Sequence, residues 1–300
     1  MIIDAHMHLV RHKNFDVKTY NWLGFPVPED TDLDNLVKWM KEAGISKMVS
    51  MGQAMDRIWN TNFSNGYVNE AYQRYPDFII PFAEIEPVDK AGRFNQPAYD
   101  EFERAIHEDH IRGALFTPPY GHYYANDRFV YPFYQLAQKH DIVVQYHHSA
   151  MGGPAVFAQT KYADMFKLND VIVDFPNMKI EVEHLGYPWT EHLLSLMANC
   201  PRMYTDLAML YNRPYQIAEA LVKAREYGVL DRVMFASDFV GVSYDLFSSS
   251  VVETLTSWID LVKNGLNEIN RKCGYPELTQ SEIDGILGNN AARLYGIEEN

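Results

Sequence analysis

Cysteine, basic residues and long apolar runs are scarce in this sequence, and each shortage argues against a class of protein. The two cysteines, Cys200 and Cys273, have neither zinc-knuckle spacing nor the number of a disulfide framework, so we expect reduced thiols. Asp and Glu number 40 against 26 Lys and Arg, and the net charge of −14 argues against nucleic acid or an anionic membrane as a partner. No apolar run approaches the ~18 residues of a membrane span. Asp4 and His6 interrupt the first run, so no signal peptide is expected and a cytoplasmic protein is the default.

Short apolar runs alternate with helical patterns along all 300 residues. The predicted strands cover residues 2–8, 47–52, 78–86, 111–117, 142–148, 179–186, 203–209 and 232–239. The first predicted helix is TDLDNLVKWMKEAGI, which Thr31 or Asp32 can cap and Gly44 can end. The next is FSNGYVNEAYQRYP, followed by helices over residues 97–109, 128–140, 161–174, 190–199 and 214–228. A helical pattern then reaches about residue 270, and TQSEIDGILGNNAARLYG is the last predicted helix.

Eight β-then-α units without a break in composition predict parallel strands joined by right-handed crossovers. Eight such units favour a closed (β/α)₈ TIM barrel, an α/β fold, in a single domain over residues 1–300. A doubly wound dinucleotide-binding sheet is disfavoured, because the loop after the first strand, HLVRHKNFD, contains no glycine.

Two histidines stand at the end of the first predicted strand, in MIIDAHMHLV. Side chains two residues apart in a strand point the same way, so His6 and His8 are expected to project side by side. Two neutral imidazoles on one face make half of a transition-metal site. An isolated pair of this kind can also be two half-exposed polar side chains on the surface, or two core imidazoles hydrogen-bonded to the backbone.

Other ligand-type residues stand at the ends of further predicted strands. They are His147 and His148 after the fifth strand, His184 in EVEHLG after the sixth, and Asp238 in FASDF after the eighth. Each residue alone is weak evidence for a metal site, because a lone Asp often caps a helix and a lone His is often a core residue whose nitrogens are hydrogen-bonded. Active sites of (β/α)₈ barrels lie at the C-terminal ends of the strands, so their joint recurrence there predicts one site.

With these motifs the sequence resembles the amidohydrolase superfamily, in its branch related to aminocarboxymuconate semialdehyde decarboxylase. The resemblance covers nearly the whole chain: DAHMH, YHHS, EHLGYPW, FASDF and the closing GNNAARLYG occur in the order of that family's elements. It implies that His6, His8, His147 and Asp238 bind a divalent metal, and that His184 holds or activates water beside it. His148 aligns with a position that is not a ligand in the family, and it is better interpreted as a pocket-wall or hydrogen-bonding residue.

One departure from the superfamily bears on the number of ions. Members with two metals use a carboxylated Lys at the end of strand four, where this chain has Leu115 and Phe116. We therefore expect one ion, with zinc the first choice for an imidazole-rich set and manganese the alternative.

Such a site permits two reactions. Metal binding lowers the pKa of water toward ~7, and Asp238 and His184 could accept or pass on its proton, which suits hydrolysis of a lactone, ester or amide. The alternative is nonoxidative decarboxylation of an aromatic or unsaturated carboxylic acid, which also occurs in the family that the sequence resembles. We expect a hydrolase of a small cyclic or carboxylate-bearing carbonyl compound, and a structural role for the metal is disfavoured because the site is expected at a barrel mouth.

Loops after the strands are expected to bind the substrate. Arg57 in GQAMDRIWN could contact a substrate carboxylate in two places, and Tyr120 and Trp189 could supply aromatic walls. An ordinary solvated role for Arg57 and simple packing of Trp189 remain equally open. The expected partners are a small-molecule substrate and further copies of the chain, as a dimer or tetramer.

Overall fold

The computed structural model describes residues 1–24, 27, 30, 32–63, 65–149, 158–240 and 250–298. Its strands are β1 (Ile3–Asp4), β2 (Met7–His8), β3 (Lys47–Ser50), β4 (Gln53–Met55), β5 (Thr61–Phe63), β6 (Ile79–Ile85), β7 (Gly113–Phe116), β8 (Val143–Tyr146), β9 (Lys179–Val182), β10 (Met203–Asp206), β11 (Val233–Met234) and β12 (Phe239–Val240).

The helices are α1 (Val17–Trp22), α2 (Leu33–Glu42), α3 (Asp56–Trp59), α4 (Asn65–Arg74), α5 (Gln96–Glu108), α6 (Pro118–Gly121), α7 (Tyr131–Lys139), α8 (Met165–Asp174), α9 (Thr190–Asn199), α10 (Pro214–Glu226), α11 (Val251–Asp260), α12 (Leu266–Cys273), α13 (Gln280–Asp284) and α14 (Asn290–Tyr295). A π turn joins α11 to α12, and another joins α13 to α14. None of the helices in the described ranges is long and apolar enough to cross a membrane.

Eight parallel strands form one sheet in the order β1-β3-β6-β7-β8-β9-β10-β11. The last strand of the barrel returns to the first, because β12 pairs in parallel with β2 through Phe239 opposite Met7. Backbone hydrogen bonds from Ala5 N to Phe235 O (3.1 Å) and from Asp238 N to His6 O (2.8 Å) join the same two segments. The predicted TIM barrel is therefore confirmed, whereas its being a single domain stays a prediction.

Apolar side chains alternate between the inside of the barrel and the surrounding helices. Val49 and Ile80 belong to the inner cluster, while their neighbours Met48 and Ile79 belong to the core beneath the helices. The helices contribute amphipathic faces to that outer core. In α2 the predicted residues Leu33, Leu36, Val37 and Met40 are all buried, and the Asp32 carboxylate caps the helix by accepting from the N–H groups of Asp34 and Asn35.

Several predicted boundaries were wrong. The sixth strand was expected to reach residue 186 and ends at Val182, and the eighth is divided into β11 and β12. The helix expected from residue 63 begins at Asn65, because residues 61–63 pair with β4 in an antiparallel hairpin that the sequence had not suggested. The helix expected from residue 161 is a 3₁₀ turn followed by α8, which the Asp164 carboxylate caps through the N–H of Phe166. The alternative cap Thr31 lies outside the described residues. Cys200 is buried, Cys273 is exposed, and both are free, as expected.

Candidate metal centre

A break in the first strand turns its two histidines into the barrel. Ile3 and Ala5 pack in the inner cluster, but Met7 packs in the outer core, so the alternation shifts between β1 and β2. As a result His6 and His8 lie side by side, as predicted, with their Nε2 atoms 3.1 Å apart. Both side chains are buried.

Asp238 completes a triangle with these two imidazoles. Its Oδ1 lies 3.2 Å from His6 Nε2 and 3.4 Å from His8 Nε2. Ligands ~2.0–2.2 Å from a tetrahedral ion are separated by about 3.3–3.6 Å, so the three atoms have nearly the spacing of a metal shell. Asp238 adopts a left-handed backbone conformation with φ of 58°, which interrupts the eighth strand at this position.

A tight turn after β9 brings two further side chains into the site. If the strand had continued, Glu183 and His184 would point to opposite faces. Instead, residues 183–186 form a turn in which His184 and Leu185 have φ values of 57° and 52°. His184 Nε2 consequently lies 3.4 Å from Glu183 Oε2 and 3.9 Å from Asp238 Oδ2.

Hydrogen bonds at Nδ1 set the tautomer of three imidazoles. His8 Nδ1 donates to Gly52 O (2.9 Å), and His184 Nδ1 donates to Ala208 O (3.0 Å). His147 Nδ1 donates to Glu183 Oε2 at 2.8 Å. Because carbonyl and carboxylate oxygens only accept here, Nδ1 carries the hydrogen and leaves the Nε2 lone pair of a neutral ring free for a metal or a proton.

Asp206 at the end of β10 supports the same cluster. Its Oδ1 accepts from the backbone N–H groups of His184 (2.8 Å) and Ala208 (3.0 Å). Its Oδ2 lies 3.5 Å from His6 Nδ1. This carboxylate therefore holds the turn that carries His184 and faces the outer nitrogen of His6.

The carboxylates make the site strongly attractive to a cation. Burial alone would raise the pKa of Asp238, but the imidazoles of His6, His8 and His184 lower it to about 2. Burial likewise opposes ionisation of Glu183, yet His6 and His147 hold its pKa well below the usual range. Burial opposes protonation of His6, and the negative charges of Glu183 and Asp238 outweigh it and raise the pKa of that imidazole well above its usual value.

The residues present fit a divalent metal. The polar atoms of the cluster that are buried without a hydrogen-bond partner among the described residues are His6 Nδ1, His147 Nε2, His184 Nε2, Glu183 Oε1 and Asp206 Oδ2. Buried polar atoms are normally satisfied, so this number of unpaired donors and acceptors calls for a bound group. Among the residues that the structure describes, three sets of side chains have the spacing of metal ligands: His6, His8 and Asp238; His6, His184 and Asp206; and His147, Glu183 and His184.

The predicted ligands are thus brought to one end of the barrel, but not into one set. His6, His8 and Asp238 share a set, whereas His147 groups with Glu183 and His184. Glu183 bridges the two, since its Oε1 lies 3.6 Å from His6 Nε2. Glu183 and Asp206 were missed by the sequence analysis. The acid–apolar–acid pattern of Glu181, Val182 and Glu183 on a buried strand was the signal that could have found the first of them.

The predicted substrate-binding residues occupy different surroundings. Tyr120 is buried on α6, with its ring centroid 4.7 Å from that of His147. Trp189 is half-buried at the start of α9, and its ring packs against the outer core. His148 is buried beside Tyr146, and burial lowers its pKa to about 4.

Arg57 lies at the side of the site, in α3. Its Nη1 donates to the backbone oxygens of Gly121 (2.5 Å) and His122 (3.5 Å). It also lines a cavity of about 520 Å³ together with Glu84 and Glu86. The guanidinium therefore braces the segment that carries Tyr120, and a contact with substrate stays a prediction.

Comparison with known proteins identifies the family. A family model described as amidohydrolase matches residues 3–297. The chain belongs to the amidohydrolase family. Members of this family are metal-dependent enzymes, and this chain is an enzyme of that kind with a candidate metal site at the expected end of its barrel. No curated protein sequence matches the chain.

Solved structures similar to this amidohydrolase-family chain share its fold. An uncharacterised TIM-barrel protein from Bordetella bronchiseptica is 20% identical, with a TM-score of 0.70 over 99% of this chain and 98% of the other. A 2,6-dihydroxybenzoate decarboxylase from Rhizobium is 15% identical, with a TM-score of 0.68 over 99% of each chain. A probable 2-pyrone-4,6-dicarboxylic acid hydrolase from Acinetobacter baumannii is 16% identical, with a TM-score of 0.65 over 98% and 99%. Both reactions considered above therefore occur on this fold, and the likeness does not select one of them.

Proposed function

We propose that the chain is a metal-dependent hydrolase that opens a lactone, ester or amide bond in a small carbonyl compound. One observation carries the proposal. His184 Nε2 is buried without a hydrogen-bond partner among the described residues and lies between two carboxylates, 3.4 Å from Glu183 and 3.9 Å from Asp238. An imidazole in this position is suited to take a proton from water and to return it to a leaving group.

The proposed cofactor is one divalent ion, zinc first and manganese as the alternative. His6, His8 and Asp238 would hold it, with His147 as the fourth ligand through the Nε2 that its bond to Glu183 leaves free. When bound, the ion would polarise a carbonyl oxygen and make water a stronger nucleophile near neutral pH.

The remaining roles belong to side chains of the chain itself. His184 moves the proton at Nε2, since Ala208 O keeps its Nδ1 protonated and fixes the direction of the ring. Asp238 faces His184 as a second proton acceptor. Tyr120, beside His147, and Trp189 are the proposed walls for the substrate, and His148 and Arg57 support them from outside the metal cluster.

Product analysis tests the proposal. The zinc-loaded protein is incubated with panels of lactones, esters, amides and aromatic carboxylic acids, and acid release and CO₂ release are measured in parallel. We expect acid release without CO₂. Formation of CO₂ with loss of the substrate carboxyl group would assign a decarboxylase instead. The His184→Ala variant serves as the control for catalysis by the site.

A further inference from the structure

A second cavity is formed by the segments that follow the second and third strands of the barrel. Its volume of about 520 Å³ is that of a pocket for a small molecule. The walls come from the starts of α3, α4 and α5 and from the end of β6. Among the described residues that line it, none belongs to the metal cluster. The cavity is therefore a separate place for a ligand.

Glu86 is the buried acidic group of this cavity. It is only 8% exposed, although it lines the cavity wall. Its Oε2 accepts from the backbone N–H of Arg57 at 3.3 Å, whereas its Oε1 is buried without a hydrogen-bond partner among the described residues. Buried carboxylate oxygens normally accept a hydrogen bond. Glu86 Oε1 is therefore suited to a donor that a ligand brings into the cavity.

The charges around Glu86 favour a cationic ligand. The basic side chains of the wall are already engaged, since Lys90 Nζ lies 3.4 Å from Asp56 Oδ2 and Arg57 donates to the backbone of the α6 segment. The buried phenol of Tyr123 is a further titratable group near Glu86. The other acidic residues that line the cavity are Asp56, Glu84, Asp89 and Glu101.

Two of these acidic residues have their own basic partners at the edge of the cavity. Asp89 pairs with Arg93 at 2.9 Å, and Glu101 pairs with Arg104 at 2.7 Å. Glu86 lies deeper than either pair, at the end of the β6 strand. An anionic ligand that entered the cavity would meet this carboxyl group, and a cationic ligand would be attracted to it.

We propose that this cavity binds a small organic ammonium ion, which donates to Glu86 Oε1 and places its apolar part against Ala54, Val88 and Ala98. Ala54 and Val88 are buried, and Ala98 is half-buried. A bare metal ion is disfavoured, because none of the sets of described residues with metal-ligand spacing includes Glu86. The site goes beyond the proposed function, which does not require this cavity.

Binding of an ammonium ion should be coupled to the ionisation of Glu86. Burial raises the pKa of Glu86 from 4.5 to about 7, although the N–H and the guanidinium of Arg57 oppose this rise. An ammonium ion binds the carboxylate form, so it must displace a proton below pH 7 and need not do so above it. We expect the affinity to rise about tenfold from pH 6 to pH 8, and about one proton to be released per bound ligand at pH 6.

A matched pair of probes tests the site by binding and not by turnover. Benzylamine and benzyl alcohol have the same ring and chain length, and only benzylamine is positively charged between pH 6 and pH 8. Dissociation constants are measured on the zinc-loaded protein by isothermal titration calorimetry. At pH 6, titrations in cacodylate and in MES give the number of protons released, because these buffers differ in their heats of ionisation. We expect benzylamine to bind about tenfold more tightly than benzyl alcohol at pH 8.

Glu86→Gln keeps the size of the side chain and cannot ionise. It should weaken benzylamine binding about tenfold at pH 8 and abolish the proton release at pH 6. Glu101→Gln is the matched control, because it makes the same change at the edge of the same cavity, and it should retain the proton release. The double variant His6→Ala/His8→Ala should bind benzylamine as the wild type does.

Four results would overturn the proposal: equal binding of the two probes, an affinity that does not change with pH, proton release that persists in Glu86→Gln, or loss of benzylamine binding in His6→Ala/His8→Ala. The last result would assign the amine to the metal centre. If Glu86→Gln does not fold, the comparison of the two probes and the pH dependence of the wild type decide.

Discussion

Each imidazole of the candidate centre has an outer nitrogen, Nδ1, and an inner nitrogen, Nε2, and the two have different surroundings. The outer Nδ1 atoms of His8 and His184 donate to backbone oxygens, and that of His147 donates to Glu183. These bonds fix ring orientation before any ligand binds. Orienting partners of this kind are worth 10–100-fold in metal affinity in other proteins. The side-chain geometry of this site is therefore largely set by the fold, and its inner nitrogens are left for chemistry.

Replacing His184 separates metal binding from proton transfer. We expect His184→Ala to retain the metal and to lose turnover by roughly 10²–10⁴-fold, because a general acid or base is removed while His6, His8 and Asp238 remain. His184→Asn should behave similarly, because an amide does not titrate near neutral pH. Metal content and turnover rate are measured on the same preparation.

The double variant His6→Ala/His8→Ala is the matched control, because it removes two predicted ligands and leaves His184 intact. It should contain no metal. Loss of metal from His184→Ala would make His184 a ligand, and an unchanged rate with metal retained would leave it a packing residue.

Strand alternation predicted part of this site and could not predict the rest. Asp238 and His147 share a face with the residues two and four positions before them, so their inward direction follows from the period of a strand. The inward direction of His184 does not follow from this period. Ile180 and Val182, which share its parity, pack in the outer core, so a continuing strand would turn the imidazole away from the site. Its inward position depends on left-handed backbone at residues 184 and 185, which no local residue preference indicates. Glu183 differs from His184, because it has the same inward parity as Glu181 and the acid–apolar–acid pattern around Val182 was the available signal for it.

At the scale of elements, the loops after the strands are tied together around the barrel mouth. The guanidinium of Arg57 in α3 donates to the backbone oxygen of Gly121 in α6, and the backbone N–H of Arg57 donates to Glu86 Oε2 at 3.3 Å. A Cβ on Gly121 would lie 2.5 Å from the ring of Tyr123, so only glycine fits in this contact. These contacts hold Tyr120 against His147. The sequence predicted the strands and most helices, because apolar periodicity specifies them, but it could not predict contacts between loops that are distant along the chain.

Glu86 gives this loop network a pH dependence. Burial, opposed in part by Arg57, raises the pKa of Glu86 from 4.5 to about 7. The folded protein therefore holds a proton that the unfolded chain releases, and this contribution to stability is complete below pH 4.5 and is lost as the pH rises through about 7. Across this pH range the free energy of unfolding falls by roughly 3 kcal/mol.

We expect Glu86→Gln, which remains neutral, to be more stable than the wild type at pH 8, and this gain to shrink toward pH 5. Urea unfolding at both values measures it. The exposed Glu191→Gln is the control and should show no such change. A gain that is the same at pH 5 and pH 8 would contradict a titrating Glu86.

At the scale of the whole molecule, the two ends of the chain meet at the bottom of the barrel. Gly288 lies so close to Met1 that a Cβ there would be 2.4 Å from the Met1 carbonyl oxygen. Tyr295 of α14 enters the barrel from this side, and its ring meets that of Phe82 edge to face, with the centroids 5.6 Å apart. The helical pattern of TQSEIDGILGNNAARLYG predicted the closing helical segment. That its last tyrosine reaches the barrel interior follows only from the three-dimensional packing.

Tyr295 also satisfies a polar layer inside the barrel. Its hydroxyl donates to Glu181 Oε2 at 2.9 Å, and Gln145 Nε2 lies 3.4 Å from the other oxygen of that carboxyl group. Burial raises the pKa of Glu181 well above its usual range. A buried carboxyl group that loses a donor cannot recover it from water, so the bond matters more here than on the surface.

We expect Tyr295→Phe to lower the free energy of unfolding by about 1–3 kcal/mol, because the ring keeps its packing while Glu181 is left with an unsatisfied oxygen. Urea unfolding followed by circular dichroism measures the change. Tyr215→Phe removes a hydroxyl from an exposed tyrosine of α10 and should have no measurable effect. Equal stability of Tyr295→Phe and the wild type would mean that this hydrogen bond does not help to hold the closing helix in the barrel.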